Sequence, residues 1–257
     1  MVGYLSAAWT VASRDISRFW KYRFWLAGQL AMNLADVFIF ALVFNNIVNK
    51  AYIPDYLKFM TPGVAAIATF AAAFSIGREV GVEIRREVTQ YLLSLPMSRS
   101  AFVFGRILGG ALRGMIYQVS FLVLAALIVN VPTTTKALYI ALTTVMLTFS
   151  MSSLAIAIST STKDFNLQAT LRALTYYILF FLSNVFYPKE VLAMRFPPQI
   201  LQIVINTPVS LASDIYRWGF GYYENVDAVS KILLLLIWSL TLTTLASLAY
   251  LRNLTKQ

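Results

Sequence analysis

The sequence predicts an all-α integral membrane protein, with six transmembrane helices in one domain spanning residues 1–257. The first observation behind this prediction is composition: 59% of the residues are hydrophobic and only 12% are charged, whereas about a quarter of the residues of a soluble domain are charged. The second is the presence of six apolar runs of ~18 or more residues, long enough to cross a hydrocarbon core as helices. These runs cover residues 24–48, 60–77, 102–130, 137–160, 168–187 and 229–251.

The distribution of basic residues predicts the orientation of these spans. If the amino terminus is cytoplasmic, 14 of the 21 Lys and Arg residues fall in the cytoplasmic segments. The positive-inside rule therefore places both termini in the cytoplasm. We expect the chain to lie in the cell (plasma) membrane. Residues 1–23 lack the apolar central region of a cleavable signal peptide, so we expect the first span to direct insertion.

Before the first span, residues 1–23 alternate apolar and basic side chains at helical spacing and predict an interfacial helix. Within that span, Gln29, Asn33 and Asp36 share one helix face. Because an acid at this depth usually faces a bundle interior, Asp36 is expected either to pair with Arg113 or Arg172 or to lie on a transport path.

Residues 79–95 follow the second span and predict an amphipathic cytoplasmic helix. One face is apolar, and charged residues lie beside it. The apolar positions are Val80, Ile84, Val88, Leu92 and Leu95, and the charged ones are Glu79, Glu83, Arg86 and Glu87. Such a helix can lie at a membrane surface or in a groove of another protein, or it can be a loop helix with solvated charges. Pro96 disfavours helix at the residue before it and predicts a turn there.

The remaining segments predict close packing and an irregular outer region. Glycines at 105, 109 and 110 line one side of the third span, where Arg106 and Arg113 can snorkel or pair. Residues 188–228 contain several prolines and apolar pieces too short to span, so we expect short helices dipping into the outer leaflet as an extracytoplasmic re-entrant region.

The composition also excludes most catalytic chemistry. The chain has no Cys and no His, which removes thiolate nucleophiles, the commonest metal ligand and the usual acid/base group. No glycine precedes a lysine, so no phosphate-binding loop is present, and the dispersed basic residues do not form a nucleic-acid surface. We therefore predict no catalytic residues, no metal site and no enzyme activity. A transporter subunit, a channel and a membrane scaffold remain.

Three motifs carry a resemblance to a known family. Residues 56–63, Tyr-Leu-Lys-Phe-Met-Thr-Pro-Gly, precede an alanine-rich span, and residues 92–99, Leu-Leu-Ser-Leu-Pro-Met-Ser-Arg, precede Gly105-Arg106. The third comprises residues 184–188 with Pro208 and Arg217. In this order and spacing, residues 56–217 resemble the type 2 ABC exporter permeases. The family often has Gly-Thr where this chain has Glu87-Val88, which predicts a continuous helix here.

The resemblance implies a mechanism and a set of partners. Two permease copies would pair as a homodimer in the lipid bilayer, and separate ABC ATPase subunits, carrying ATP and magnesium, would bind beneath them. Residues 79–95 would form the coupling helix. The implied coupling residues are Glu79, Glu83, Arg85, Arg86, Glu87, Leu92, Pro96 and Arg99.

The resemblance also places a substrate path at the dimer interface, among the first, second and fifth spans. The candidate lining residues are Asp36, Phe38, Phe44, Tyr176, Tyr177 and Phe180. Lipid-facing or core aromatics remain an equal interpretation of each ring. The expected substrate is amphiphilic, lipid-like, drug-like or a glycan moving out of the cytoplasm. The alternative function is an ATP-independent channel or a membrane assembly or scaffold protein.

Overall fold

The computed structural model describes residues 3–45, 47–94 and 96–255, without the side chains at positions 25, 26, 29, 33, 36, 90, 93 and 255. The described residues form α-helices and no strand. The helices are α1 Tyr4–Lys21, α2 Arg23–Asn45, α3 Tyr56–Ala72, α4 Ser75–Arg85, α5 Val88–Leu93, α6 Arg99–Ile128, α7 Thr134–Ser161, α8 Phe165–Phe181, α9 Lys189–Arg195, α10 Pro198–Ile205, α11 Pro208–Gly219 and α12 Ala228–Thr255.

In the described part of the chain, four helices are long and apolar enough to cross a membrane: Tyr56–Arg85, Arg99–Ile128, Thr134–Ser161 and Ala228–Leu254. The all-helical, apolar character expected of an integral membrane protein is therefore confirmed. The other two predicted spans coincide with α2, which contains the shorter apolar segment Leu30–Asn45, and with α8, whose 17 residues extend about 26 Å. The complete six-span layout stays a prediction.

Helix α6 lies at the centre of the fold. It packs against α1, α3 and α7, while α12 lies along α7, and α11 packs on α3 and α7. Phe102, Ile107 and Phe121 of α6 are fully buried in the resulting apolar core. Helices α2 and α8 lie at the periphery. Helix α2 packs mainly on α3, and α8 packs mainly on α7 and α4. Between these two peripheral helices the bundle is open.

A buried arginine joins the segments of the third sequence motif. Arg217 of α11 donates from Nε to the Phe59 carbonyl (3.0 Å), from Nη1 to the Asn184 carbonyl (2.9 Å) and from Nη2 to the Val185 carbonyl (2.6 Å). A Cβ at Gly63 would lie 2.7 Å from Arg217 Nη2, so only glycine leaves room for the guanidinium group. Arg217 thereby connects α11 to α3 and to the segment that follows α8.

The amphipathic segment is not the single helix over residues 79–95 that the sequence predicts. Helix α4 begins at Ser75 and ends at Arg85, and the separate helix α5 covers only Val88–Leu93. The break lies at Glu87, whose φ is +58°. This left-handed conformation costs a non-glycine residue roughly 1–2 kcal/mol. The break that the family often makes with glycine is therefore made here by a glutamate, and Leu95 lies outside the described residues.

Glu87→Gly should raise the stability of the protein by about 1 kcal/mol, because glycine adopts positive φ without the steric cost that glutamate bears. Thermal unfolding in detergent, followed by tryptophan fluorescence, measures the change. Arg86→Gly is the matched control, since Arg86 has φ −91° and gains nothing from glycine. A lower melting temperature for Glu87→Gly would contradict the strained turn.

Candidate functional site

The amino-terminal helix lies directly on α6 because two glycines of α6 leave room for it. A Cβ at Gly105 would lie 2.6 Å from the Ala8 carbonyl oxygen, and one at Gly109 would lie 2.9 Å from Asp15 Oδ2. The face of α1 towards α6 is buried, including Ala8, Ala12 and Asp15. A helix, α1, is therefore present within residues 1–23, and its inner face packs on protein; its interfacial position stays a prediction.

This packing encloses a buried ion cluster, which we define as Asp15, Glu79, Glu83, Arg106 and Arg113. Arg106 Nη1 donates to Asp15 Oδ1 (2.5 Å), and Arg106 Nη2 lies 2.9 Å from Glu83 Oε2. Arg113 Nη1 donates to Glu79 Oε1 (2.6 Å), and Arg113 Nε donates to the Asp15 carbonyl (3.0 Å). Arg106 is 0% exposed and Arg113 is 1% exposed. The cluster joins α1, α4 and α6 through charge.

Two arginines of α1 add further positive charge beside Glu83. Arg14 Nη2 lies 3.3 Å from Glu83 Oε1, and Arg18 Nη1 lies 3.0 Å from the same oxygen. Both side chains are partly exposed, so they close the cluster on its solvent side. Glu83 thus has three arginines around it. The sequence did not indicate Asp15 as a functional residue, although one acid among the basic residues of an amphipathic helix was a visible signal.

The structure divides the predicted coupling residues into two groups. Glu83 is only 4% exposed and Glu79 is half-buried, and both carboxylates are held by arginines of the same chain. The apolar face also packs inside the chain, since Val80 and Ile84 are buried. The exposed group is Arg85, Arg86, Glu87, Pro96 and Arg99, with Leu92 half-buried. The coupling role of all these residues stays a prediction.

An exposed aromatic residue adds to the second group. Tyr91 of α5 is 71% exposed, and Val88 on the same short helix is also exposed. The sequence did not single out Tyr91, because a continuous helix over residues 79–95 obscures the separate surface that α5 presents. Together with the charged turn before it, α5 offers one aromatic ring, one branched side chain and several charges to a binding partner.

A cleft of about 520 Å³ opens between α2, the α3–α4 pair and α8. We refer to it as the aromatic cleft. Phe70 and Tyr176 both line it and are in edge-to-face contact with ring centroids 5.3 Å apart, and Tyr176 also packs against Tyr177 and Phe180, each at 5.4 Å. The remaining lining is predominantly aliphatic and aromatic, as in most sites for small molecules. The charged residues among the described lining are Arg78 and Arg172.

Three of the six predicted path residues, Tyr176, Tyr177 and Phe180, line this cleft. Phe44 instead packs on Tyr56 at 5.7 Å and borders a second cavity of about 350 Å³. Phe38 is 42% exposed and is absent from the described linings of both cavities. The side chain of Asp36 lies outside the described residues. Sequence reasoning missed four lining residues: Phe70, Phe74, Arg78 and Arg172. The spacing of four residues between Phe70 and Phe74 puts both rings on one helix face, and this could have indicated them.

Comparison with known families gives one match to the chain. The family model described as "ABC-2 type transporter" matches residues 6–204, which agrees with the resemblance carried by the three motifs. The matched range includes α1 to α10, and therefore both the buried ion cluster and the aromatic cleft. The comparison with curated proteins found no match.

Asp15→Asn should destabilise the protein by about 3–5 kcal/mol, because it leaves the buried Arg106 with an incomplete set of anionic partners. Arg106→Gln should cost a similar amount, and the double variant should lose less than the sum of the two. Thermal unfolding of the three purified variants measures this coupling.

Arg14→Gln serves as the control for this cycle. Its side chain is 31% exposed, so its ion pairs should contribute about 1 kcal/mol or less. Strictly additive losses for Asp15→Asn and Arg106→Gln would contradict a direct interaction between these two side chains.

Proposed function

The chain belongs to the ABC-2 type transporter family and is a transmembrane permease; from this premise we propose that it is the permease subunit of an ATP-driven exporter. In this proposal, ATP and magnesium bind a separate ABC ATPase subunit, and a second copy of the chain completes a homodimer in the cell membrane. Both termini lie in the cytoplasm, and an amphiphilic substrate, lipid-like, drug-like or glycan, moves outward. Helix α5 and the turn before it form the docking surface for the ATPase.

The observation that supports this docking surface is the exposed break between α4 and α5. A soluble partner that binds a membrane protein needs an exposed apolar or aromatic side chain to pack against. It also needs exposed charged side chains that set its orientation. Tyr91 supplies the anchor, and Arg85, Arg86 and Glu87 supply the charges, because all four are exposed. The inward-facing Glu79 and Glu83 have a structural role in this proposal. Their ion pairs with arginines of α1 and α6 hold α4 in place behind the docking surface.

Helix α4 links this surface to the aromatic cleft. Its carboxyl end carries Arg85, next to the docking turn, and its amino end carries Ser75, which lines the cleft. The two positions are about 15 Å apart along the helix axis. A displacement of the docking turn by an ATPase would therefore move the cleft wall as one rigid helix.

The open side of the cleft supports the proposed homodimer. Helices α2 and α8 flank it, and both expose large apolar side chains, such as Leu42 and Val43 on α2 and Leu174 on α8. A second copy covering these helices would enclose the aromatic cleft at the subunit interface. The substrate would then bind between protein walls and apart from the lipid.

Replacing Tyr91 with Ala and Arg86 with Glu in one variant should remove the ATPase from the permease. Exposed Tyr and Arg residues dominate the energetics of many interfaces, so we expect at least a tenfold loss of ATPase that copurifies from native membranes. Quantitative mass spectrometry of the affinity-purified complex measures it. This test avoids Glu79 and Glu83, whose replacement would disturb the buried ion cluster.

The matched control is Tyr22→Ala with Arg23→Glu, which changes an exposed aromatic residue and an exposed arginine beside α1. This variant should retain the ATPase. If the wild-type chain yields no ATPase even after crosslinking, the proposed ATP-driven export is wrong, and conductance in liposomes would test the channel alternative.

A further inference from the structure

The aromatic cleft has an unusual distribution of charge. Among the described residues of its lining, the charged ones are Arg78 on α4 and Arg172 on α8, and both are positive. In the described part of the chain, neither guanidinium group has a carboxylate within ion-pair distance. The interaction between the two arginines is repulsive.

The buried arginines elsewhere in the chain show how it normally neutralises such charge. Arg106 and Arg113 have carboxylates at 2.5 Å and 2.6 Å, and Arg217 has Asp214 at 3.8 Å. Arg172 is only 9% exposed, and its described partners are neutral: it donates to Ser159 Oγ at 2.9 Å and lies 5.9 Å from the Phe165 ring. Burial of Arg172 without a described counter-charge is unfavourable, and the exposed Arg78 adds a second positive charge beside it, so the pair provides a site for an anion.

Aromatic rings follow the arginines along α8 and along the α3–α4 pair, in matching order. On α8, Arg172, Tyr176 and Phe180 follow at intervals of four residues and line the cleft together. On the opposite wall, Arg78, Phe74 and Phe70 repeat this pattern in the reverse chain direction. Phe70 meets Tyr176 at 5.3 Å. Two stripes therefore face each other, each with an arginine at one end and about 12 Å of aromatic surface beyond it.

Arg85 extends the basic end towards the docking turn. Its guanidinium group lies 5.8 Å from the Phe165 ring, the ring that also contacts Arg172. Arg85 is exposed. The arginines thus form a basic region that leads from the exposed Arg85 at the surface to the buried Arg172 in the cleft.

We propose that the aromatic cleft binds an anionic amphiphile, with its phosphate or carboxylate headgroup between Arg78 and Arg172 and its apolar chain lying along the two aromatic stripes, which touch each other at Phe70 and Tyr176. A free anion would leave the aromatic surface unused, and a neutral amphiphile would leave the two arginines unneutralised. The inference rests on the proposed permease function, for which it specifies the substrate class. With the arginines at the docking-turn end of the cleft, the headgroup enters from the side of the ATPase.

Lipid binding to the purified full-length chain tests this proposal without requiring the ATPase. The probes are dioleoyl phosphatidic acid, dioleoyl phosphatidylcholine and inorganic phosphate, with binding measured by native mass spectrometry and by thermal shift. Phosphatidic acid should bind the wild-type chain at least tenfold more tightly than phosphatidylcholine or phosphate. Arg78→Gln with Arg172→Gln should abolish the preference for phosphatidic acid over phosphatidylcholine.

Two further variants separate specific binding from general effects. Lys21→Gln with Arg23→Gln removes the same amount of charge from exposed positions outside the cleft, and it should keep the preference. Ala173→Trp fills the cleft from an exposed position of α8, and it should weaken phosphatidic acid binding while the chain stays folded. A preference lost equally in the Lys21 and Arg23 variant would overturn the proposal.

Three other outcomes would also overturn it. Equal binding of phosphatidic acid and phosphatidylcholine would show that the headgroup is not recognised, and binding of phosphate as tight as that of phosphatidic acid would indicate a simple anion site. A disulfide formed between two copies at Tyr177→Cys, together with no bound lipid, would identify a second copy as the occupant. Each of these outcomes leaves the copurification of an ATPase intact, so failure here is distinguishable from failure of the permease function.

Discussion

The buried ion cluster is the constraint on which the rest of the structure depends. Arg106 and Arg113 of α6 are fully buried, and such charges are tolerated only when anionic groups surround them. Asp15 comes from α1, and Glu79 and Glu83 come from α4. The position of each of these helices on α6 is therefore fixed by charge as well as by apolar packing. Neither α1 nor α4 can move away from α6 without exposing an unpaired arginine to the core.

The same cluster explains how a short amphipathic segment can be both anchored and available. The half of the segment before Glu87 turns the carboxylates of Glu79 and Glu83 inward and its apolar residues into the core. The half after Glu87 is free of these contacts and presents Tyr91 to solvent. The positive φ of Glu87 separates the two halves by changing the chain direction. One part holds the protein together, and the other stays exposed.

The sequence predicts the helices better than it predicts their partners. Apolar runs locate the long helices because a membrane demands about twenty apolar residues in succession, and the Pro96 turn follows from the geometry of proline. The break at Glu87 was missed because nothing in the identity of a glutamate signals positive φ. The inward orientation of Glu83 was missed because its partners lie 23 residues later and on α1, and a helical periodicity describes one element alone. The sequence allowed Tyr176 and Phe180 to be chosen as lining residues. The role of Arg78 and Arg172 could not be predicted, because it depends on α4 and α8 lying side by side.

Helix α4 lies between the exposed turn and the aromatic cleft. One end of this helix adjoins the exposed turn, its middle is bound to α6 through Glu79 and Glu83, and its other end forms a wall of the aromatic cleft. Gly77 also brings α4 so close to α7 that a Cβ would lie 2.6 Å from the Ala155 carbonyl oxygen. A helix held tightly on two sides cannot bend to absorb a force applied at the turn. Such a force must either shift α4 together with α1 and α6 or widen the gap to α8, which has few contacts of its own. The loosely packed α8 is therefore the element whose movement would change the width of the cleft, and it carries both Arg172 and the aromatic stripe.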